Sequence, residues 1–123
     1  MKRFFAGIAT GWLLLAVMFS AQEVAVHKIV QPQILVDNQK VTIRRWTLEP
    51  GERSPVHTHS LDHIYVVIRG SKVREYLADG TTHDDDQETG RVGFAPGVGK
   101  THSFENAGTM PYEMVSIELK QAP

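Results

Sequence analysis

The sequence contains no cysteine. Disulfide frameworks, thiolate metal sites and cysteine nucleophiles are therefore excluded. The formal net charge is only −1, so the chain lacks the excess of positive charge that binds nucleic acid. Beyond its N-terminal segment it also lacks an amphipathic helical stripe of useful length. With 123 residues, 41% of them hydrophobic and 22% charged, the chain is long enough for one globular domain and too short for two.

The N-terminal segment has the layout of a secretory signal peptide. Lys2 and Arg3 precede an uncharged stretch over residues 4–19. This stretch is short for a membrane span, which needs about 20 apolar residues. We predict a signal peptide at residues 1–21 and a mature domain at residues 22–123, with cleavage after Ala21 or Ala25 left open. We expect the protein to be exported, to the periplasm or outside the cell, and to contact a membrane only if this segment stays uncleaved.

The mature chain has the pattern of short strands separated by glycine, proline and aspartate turns. Segments rich in β-branched and aromatic residues predict strands at 41–48, 63–69, 72–77, 91–95, 101–106 and 112–120. Residues 24–36 contain further strand-like pieces. Strands at this spacing predict an all-β sandwich or barrel. The acidic run at residues 83–88 is interpreted as a solvated hairpin turn; a calcium loop is a weaker alternative, because the run lacks that loop's glycine and terminal glutamate.

Histidine is the residue type that indicates a functional site, since the chain has six. Alternation along a strand puts His57, His59 and His63 on one face, and His102 lies in a separate predicted strand that could close the site. Buried neutral imidazoles need polar partners or a metal to offset their desolvation. The spacing therefore predicts a divalent transition metal site. His27 and His83 have no partners at useful spacing, and we expect them to play no part in it.

Two spaced motifs carry a resemblance to the cupin superfamily. The first is matched by Gly51, His57, His59 and Gly70, with His63 at the position where the motif has glutamate. The second is matched by Gly90, Pro96, His102 and Asn106, with one extra residue between Pro96 and His102, so that Gly97 or Gly99 takes the motif glycine's place. The resemblance spans residues 42–120. It implies a single antiparallel cupin barrel, a double-stranded β-helix or jelly roll, after the signal segment.

The histidine at position 63 gives a four-histidine set, which resembles that of some small cupins that bind manganese and perform oxidative chemistry. Four neutral ligands leave the full 2+ charge on the metal and, in an octahedral ion, two positions open. Manganese or iron is favoured, and zinc, copper or nickel stays open. The resulting hypotheses are a dioxygenase-like oxidoreductase, a Lewis-acid lyase or isomerase, and a non-catalytic exported protein that binds metal or a small ligand.

Alternation along the strands also indicates which side chains would line a pocket beside the metal. Trp46, Tyr65, Phe104 and Met114 are the candidates, and they would suit a small apolar or aromatic molecule. The sequence does not identify a catalytic residue, because no side chain is an obvious general base. Asp62 and Glu105 lie next to predicted ligands, but alternation turns them to the opposite face of the strand. We expect them to be solvated or to support the site from outside. Asn106 is expected to fix a turn. By analogy with cupins, a homodimer is expected, with residues 24–36 reaching across.

Overall fold

The computed structural model describes residues 27–121, which form two antiparallel sheets. The predicted signal peptide, residues 1–21, lies outside these residues. The strands are β1 (Gln33–Asp37), β2 (Val41–Leu48), β3 (His57–His59), β4 (His63–Arg69), β5 (Ser71–Leu77), β6 (Thr82–Gln87), β7 (Val92–Ala95), β8 (Lys100–Asn106) and β9 (Tyr112–Leu119). The predicted all-β antiparallel fold is confirmed, and the six strands predicted individually agree with the observed bounds to within one residue.

One sheet has five strands in the order β1-β2-β9-β4-β7, and the other has four in the order β3-β8-β5-β6. Consecutive strands repeatedly change sheet, so that the two sheets face each other and share one core. Along each strand alternate side chains enter this core, as antiparallel geometry requires. Within residues 27–121, no helix is long and apolar enough to cross a membrane.

The core between the two sheets is apolar. Its buried members come from both sheets: Trp46, Leu48, Val67, Val73, Phe104 and Tyr112. Leu48 and Tyr112 face each other in the β2–β9 register, and Val73 faces Asn106 in the β5–β8 register. We call the end of the barrel around these four residues the closed end. Burial of such side chains is the main source of the domain's stability.

Asn106 completes the closed end with its side chain. Its Nδ2 donates to the carbonyl oxygens of Leu48 at 2.9 Å and Met110 at 2.7 Å. Its Oδ1 accepts from Ser71 Oγ at 2.7 Å and from the Gly108 amide at 3.0 Å. The residue is fully buried. The predicted turn-fixing role is confirmed, because these bonds hold the loop between β8 and β9.

Two interpretations of local structure are wrong. The acidic run at residues 83–88 is not a turn, because most of it belongs to strand β6 and the turn precedes it at residues 78–80. His57, His59 and His63 also do not lie on one continuous strand. β3 ends at His59 and β4 begins at His63, and these strands belong to different sheets. The chain crosses between the sheets at residues 60–62, which alternation along one strand could not reveal.

Candidate metal centre

The end opposite the closed end carries a histidine cluster, formed by His57, His59 and His102. One ring nitrogen from each of these side chains lies within 4.8 Å of the others. The sequence brings them together in two steps: His57 and His59 alternate along β3, and the β3–β8 register places His102 directly opposite His57. The three rings are half-buried, so they are partly shielded from water.

Hydrogen bonds orient two of the three rings. His57 Nδ1 lies 2.8 Å from the Pro55 carbonyl oxygen, which can only accept, so Nδ1 carries the proton. His102 Nδ1 lies 3.1 Å from a carboxylate oxygen of Glu75 and donates to it in the same way. In both rings the lone pair is then on Nε2. A carboxylate or carbonyl behind the ring is the arrangement that fixes the tautomer of a metal-binding histidine.

The separation of His59 and His102 suits a shared ion. Their Nε2 atoms are 2.9 Å apart. Two nitrogens that each lie about 2.1 Å from one ion are about 3.0 Å apart when they meet at a right angle. Without an ion the same distance allows a hydrogen bond, in which His59 donates to the lone pair of His102. The donor set therefore fits a divalent transition metal.

His63 approaches the cluster from the other sheet. Its ring stacks on that of His59, with centroids 4.1 Å apart and planes 20° from parallel. Among the described residues, its Nδ1 is the buried side-chain nitrogen that has no hydrogen-bond partner. Such an atom is costly to leave unsatisfied in an apolar interior. His63 is therefore placed beside the cluster, and its service as a fourth ligand stays a prediction.

Burial favours the neutral form of three histidine rings, those of His59, His63 and His102. Burial, helped by the neighbouring His63 and His57, lowers the pKa of His59 to about 3. Burial likewise lowers the pKa of His63 and, against the opposing charge of Glu75, that of His102. Neutral imidazole is the form that binds a metal, so these side chains are available as ligands at ordinary pH.

Two neighbouring loops set the positions of the ligands. A Cβ atom on Gly97 would lie 2.5–2.6 Å from backbone atoms of Leu61, so only glycine allows the loops to approach this closely. Asp62 accepts from the Gly97 amide at 2.8 Å, and the Gly99 amide donates to the His59 carbonyl at 2.9 Å. Gly99 has φ of 77°, which favours glycine. Asp62 thus supports the site from outside, and both candidate motif glycines are required, for different reasons.

A cavity of about 280 Å³ opens beside His59, His63 and His102. Three of the four predicted pocket residues, Tyr65, Phe104 and Met114, line it. Trp46 instead borders a second hollow of about 340 Å³ with His57 and His59. Its ring stacks near that of His57, with centroids 5.7 Å apart. The histidine cluster thus lies between two hollows, with aromatic side chains in both.

The sequence reasoning missed four polar residues of the cavity: Glu75, His83, Asp85 and Gln87. The β5–β6 register pairs Glu75 with His83 and Val73 with Asp85. Since Val73 belongs to the core, alternation turns these side chains inwards and sends Asp84 outwards. An alternating interpretation of residues 82–87 as a strand would have placed His83, Asp85 and Gln87 on one face. Lys100 also borders the cavity and pairs with Glu75, with Nζ and Oε1 2.8 Å apart.

The other face of β8 carries a buried polar cluster that does not reach the cavity. Glu105 accepts from Tyr76 Oη at 2.5 Å and lies 3.2 Å from His27 Nδ1. The guanidinium of Arg53 lies over the Tyr76 ring, 3.6 Å from its centroid, and bonds to Ser103. Glu105 points away from the metal centre as expected, but it is buried rather than solvated, because residues before β1 cover it. His27 therefore pairs with Glu105 on this face and lies outside the histidine cluster.

Comparison with known families agrees with this geometry. The sequence model of the auxin binding protein family matches residues 19–91, more than half of the chain. The chain belongs to this family, which is a cupin family. The matched part contains His57, His59 and His63 and ends before His102. Among curated proteins, none matches the sequence.

Solved cupins share the fold. A cupin domain from Bordetella pertussis superposes with a TM-score of 0.71 at 23% identity, covering 77% of this chain and 97% of that one. An RmlC-like cupin from Methanocaldococcus jannaschii gives 0.61 at 19% identity, with coverages of 73% and 79%. A predicted oxalate decarboxylase from Thermotoga maritima gives 0.56 at 22% identity, also with coverages of 73% and 79%. The double-stranded β-helix expected from the motifs is therefore confirmed.

Proposed function

We propose that this protein is a metal-dependent small cupin that oxidises a small organic molecule, as a dioxygenase-like oxidoreductase. The observation that carries the proposal is the histidine cluster at the edge of the 280 Å³ cavity, with ring nitrogens within 4.8 Å of one another. Its metal is one divalent transition ion bound by His57, His59 and His102, with His63 as the fourth ligand. Manganese or iron is the proposed ion, because four histidine ligands would leave two positions of an octahedral ion open to substrate or dioxygen, whereas zinc more commonly stops at four ligands.

The bound metal would supply Lewis acidity and a redox centre next to the substrate. The chain's own groups prepare the site. The Pro55 carbonyl and the Glu75 carboxylate hold the protons of His57 and His102 on Nδ1. Burial raises the pKa of Glu75, but hydrogen bonds from Lys100 and His102 outweigh this effect and hold it below its usual value. Glu75 is therefore charged at neutral pH and increases the basicity of His102.

The cavity walls select the substrate. Phe104, Met114 and Tyr65 provide apolar and aromatic surface, whereas Lys100, Glu75 and Asp85 provide charge. A cavity of about 280 Å³ admits a small molecule with one aromatic ring or a short chain. Tyr65 and His83 are among the side chains of this lining that can both donate and accept a hydrogen bond, and they are not ligands of the proposed metal. They are the candidates to hold a proton beside a bound substrate.

The first test is elemental analysis of the protein purified without added metal. Near-stoichiometric manganese or iron supports the proposal, and an empty or zinc-filled site contradicts the redox part. Oxygen uptake is then measured with small aromatic and enol substrates. Intact mass of the same sample shows whether residues 1–21 have been removed, which checks the expected export.

Matched histidine variants locate the metal. His57→Ala and His102→Ala are each expected to weaken binding at least about 100-fold, because each removes a ligand. His27→Ala removes an imidazole outside the cluster and serves as the control, with unchanged metal content. His63→Ala decides the fourth ligand: weakened binding supports four histidines, and unchanged binding restricts the set to three. Unchanged metal content in His57→Ala and His102→Ala would refute the site.

A second candidate function is binding without catalysis, and the family match favours it, because the family is named for binding auxin. Under this alternative the protein binds a small molecule beside the metal and releases it unchanged. Incubation of the metal-loaded protein with an auxin distinguishes the two. Saturable binding with full recovery of the ligand and no oxygen uptake supports the binding function. Redox-neutral conversion of a substrate would instead indicate a Lewis-acid lyase or isomerase.

A further inference from the structure

Strand β7 has a glycine at its centre, on the side that faces the cavity. Gly93 follows Val92 and lies opposite Tyr65 in the β4–β7 register. Because Tyr65 lines the cavity, its cross-strand neighbour faces the same way. Glycine inside a strand is less favourable than alanine and often marks a place where another group approaches closely. The φ of Gly93 is not positive, so any need for glycine here comes from a contact and not from the backbone.

The contact is with the ring of Tyr65. A Cβ atom on Gly93 would lie less than 3.0 Å from Cε1, Cζ and the hydroxyl oxygen of Tyr65. Carbon atoms in contact normally stay about 3.5–4.0 Å apart, so this ring and a side chain at position 93 cannot both keep their places. The Tyr65 ring therefore lies against the backbone of β7, and at this point it forms the wall of the cavity.

We propose that Gly93 is a positioning residue that sets the size of molecule the cavity accepts. It allows the Tyr65 ring to lie against β7, which leaves room beside the histidine cluster for a molecule with one aromatic ring. Tyr65 is the side chain that would contact the bound molecule, and Gly93 acts through it. The inference rests on the proposed function in one respect, namely that the substrate binds in this cavity.

The volumes show why the position of one ring matters. A ring the size of benzene fills an apolar cavity of about 150 Å³. The cavity of about 280 Å³ therefore admits one such ring while Tyr65 stays on Gly93. If the Tyr65 ring itself entered the cavity, about 130 Å³ would remain, which is less than a second ring needs.

A ring displaced from Gly93 has one direction open to it. Towards β9, the β4–β9 register places Ser116 beside Tyr65. Ser116 is only 8% exposed, so neighbouring atoms already cover it. Towards β7, a Cβ atom at position 93 would block the ring. An alanine at this position should therefore push the Tyr65 ring into the cavity.

Equilibrium dialysis of the purified protein against phenol, under nitrogen so that no oxidation consumes it, tests the inference. The wild type should bind phenol saturably, and Gly93→Ala should raise the dissociation constant at least about 10-fold. Val92→Ala is the matched control, because Val92 is on the same strand with its side chain turned outwards and 65% exposed. Its affinity should be that of the wild type. A wild type that does not bind phenol, or a Gly93→Ala variant that binds it equally well, would overturn the inference.

A double variant separates loss of space from loss of the fold. Gly93→Ala combined with Tyr65→Ala should bind phenol at least as tightly as the wild type, since no ring is left to enter the cavity. Its denaturation midpoint should also be no lower than that of Tyr65→Ala alone, because alanine then replaces a strand glycine without a clash. A Gly93→Ala variant that folds only with Tyr65→Ala present would show that the ring has no second position, which contradicts the inference. Phenol binding needs no metal, so an empty histidine cluster would count against the proposed function and not against this result.

Discussion

The two ends of the barrel are built from the same strands but satisfy their polar groups differently. At the closed end, Asn106 makes four side-chain hydrogen bonds, and Leu48 and Tyr112 fill the space around it. At the histidine end, three ring nitrogens lie within 4.8 Å of one another, His63 Nδ1 has no hydrogen-bond partner among residues 27–121, and a cavity remains. The closed end holds the fold together, whereas the histidine end retains binding capacity that the chain itself does not use.

Removing Asn106 should give the largest change in stability and should leave the metal centre intact. Asn106→Ala removes the donor to the buried carbonyl of Leu48 and to the part-buried carbonyl of Met110, and it also leaves a cavity, at a cost of about 3–5 kcal/mol in the free energy of unfolding. Denaturant titration of the metal-free protein measures this loss. Ser71→Ala is the control, because it removes one of the four bonds and should cost about 1 kcal/mol. A loss of only about 1 kcal/mol in Asn106→Ala would show that the closed end does not depend on this network.

Substitution of Glu75 tests the histidine end, where we expect a change in metal affinity rather than in stability. Glu75→Ala removes the acceptor of the His102 Nδ1 proton and frees the cation of Lys100, so metal affinity should fall about 10- to 100-fold. Competition with a chelator of known affinity measures the change. Glu75→Gln is the matched variant, since its amide oxygen can still accept the proton, and it should recover most of the affinity. Equal affinities for wild type and Glu75→Ala would exclude a positioning role.

The difference between the two ends also explains how much the sequence could predict. The spacing of His57 and His59 and the motif around His102 identified the cluster, because a strand's alternation is local and the second motif repeats a known pattern. Glu75 and His83 were missed because residues 83–88 were interpreted as a turn, which left no strand β6 to pair with β5 and to show which side chains enter the cavity. His63 was assigned to the correct neighbourhood through an incorrect strand, since the crossing at residues 60–62 is set by contacts with Gly97. Alternation within a strand could be predicted from the sequence, but the place where the chain changes sheet could not.

Tyr112 lies between the two regions, because it belongs to the core and also lines the cavity. Burial raises its pKa, and its hydroxyl donates to Gln87 at 2.5 Å. In the unfolded chain a tyrosine ionises near pH 10, whereas the folded Tyr112 keeps its proton. The folded state therefore binds more protons above that pH, and its stability falls as pH rises through the interval between the two pKa values.

The expected slope for this one group is about 1.4 kcal/mol per pH unit above about pH 10, the smallest of the three effects over a single unit. Denaturant titrations of wild type and Tyr112→Phe at several alkaline pH values measure it. The phenylalanine variant should be less stable at neutral pH, by about 1 kcal/mol for the lost hydrogen bond, and should decline less steeply. Lysines titrate in the same range in both proteins, so only the difference in slope reports on Tyr112. Parallel slopes would mean that Tyr112 ionises in the folded protein, and the boundary between packed core and cavity would then admit water.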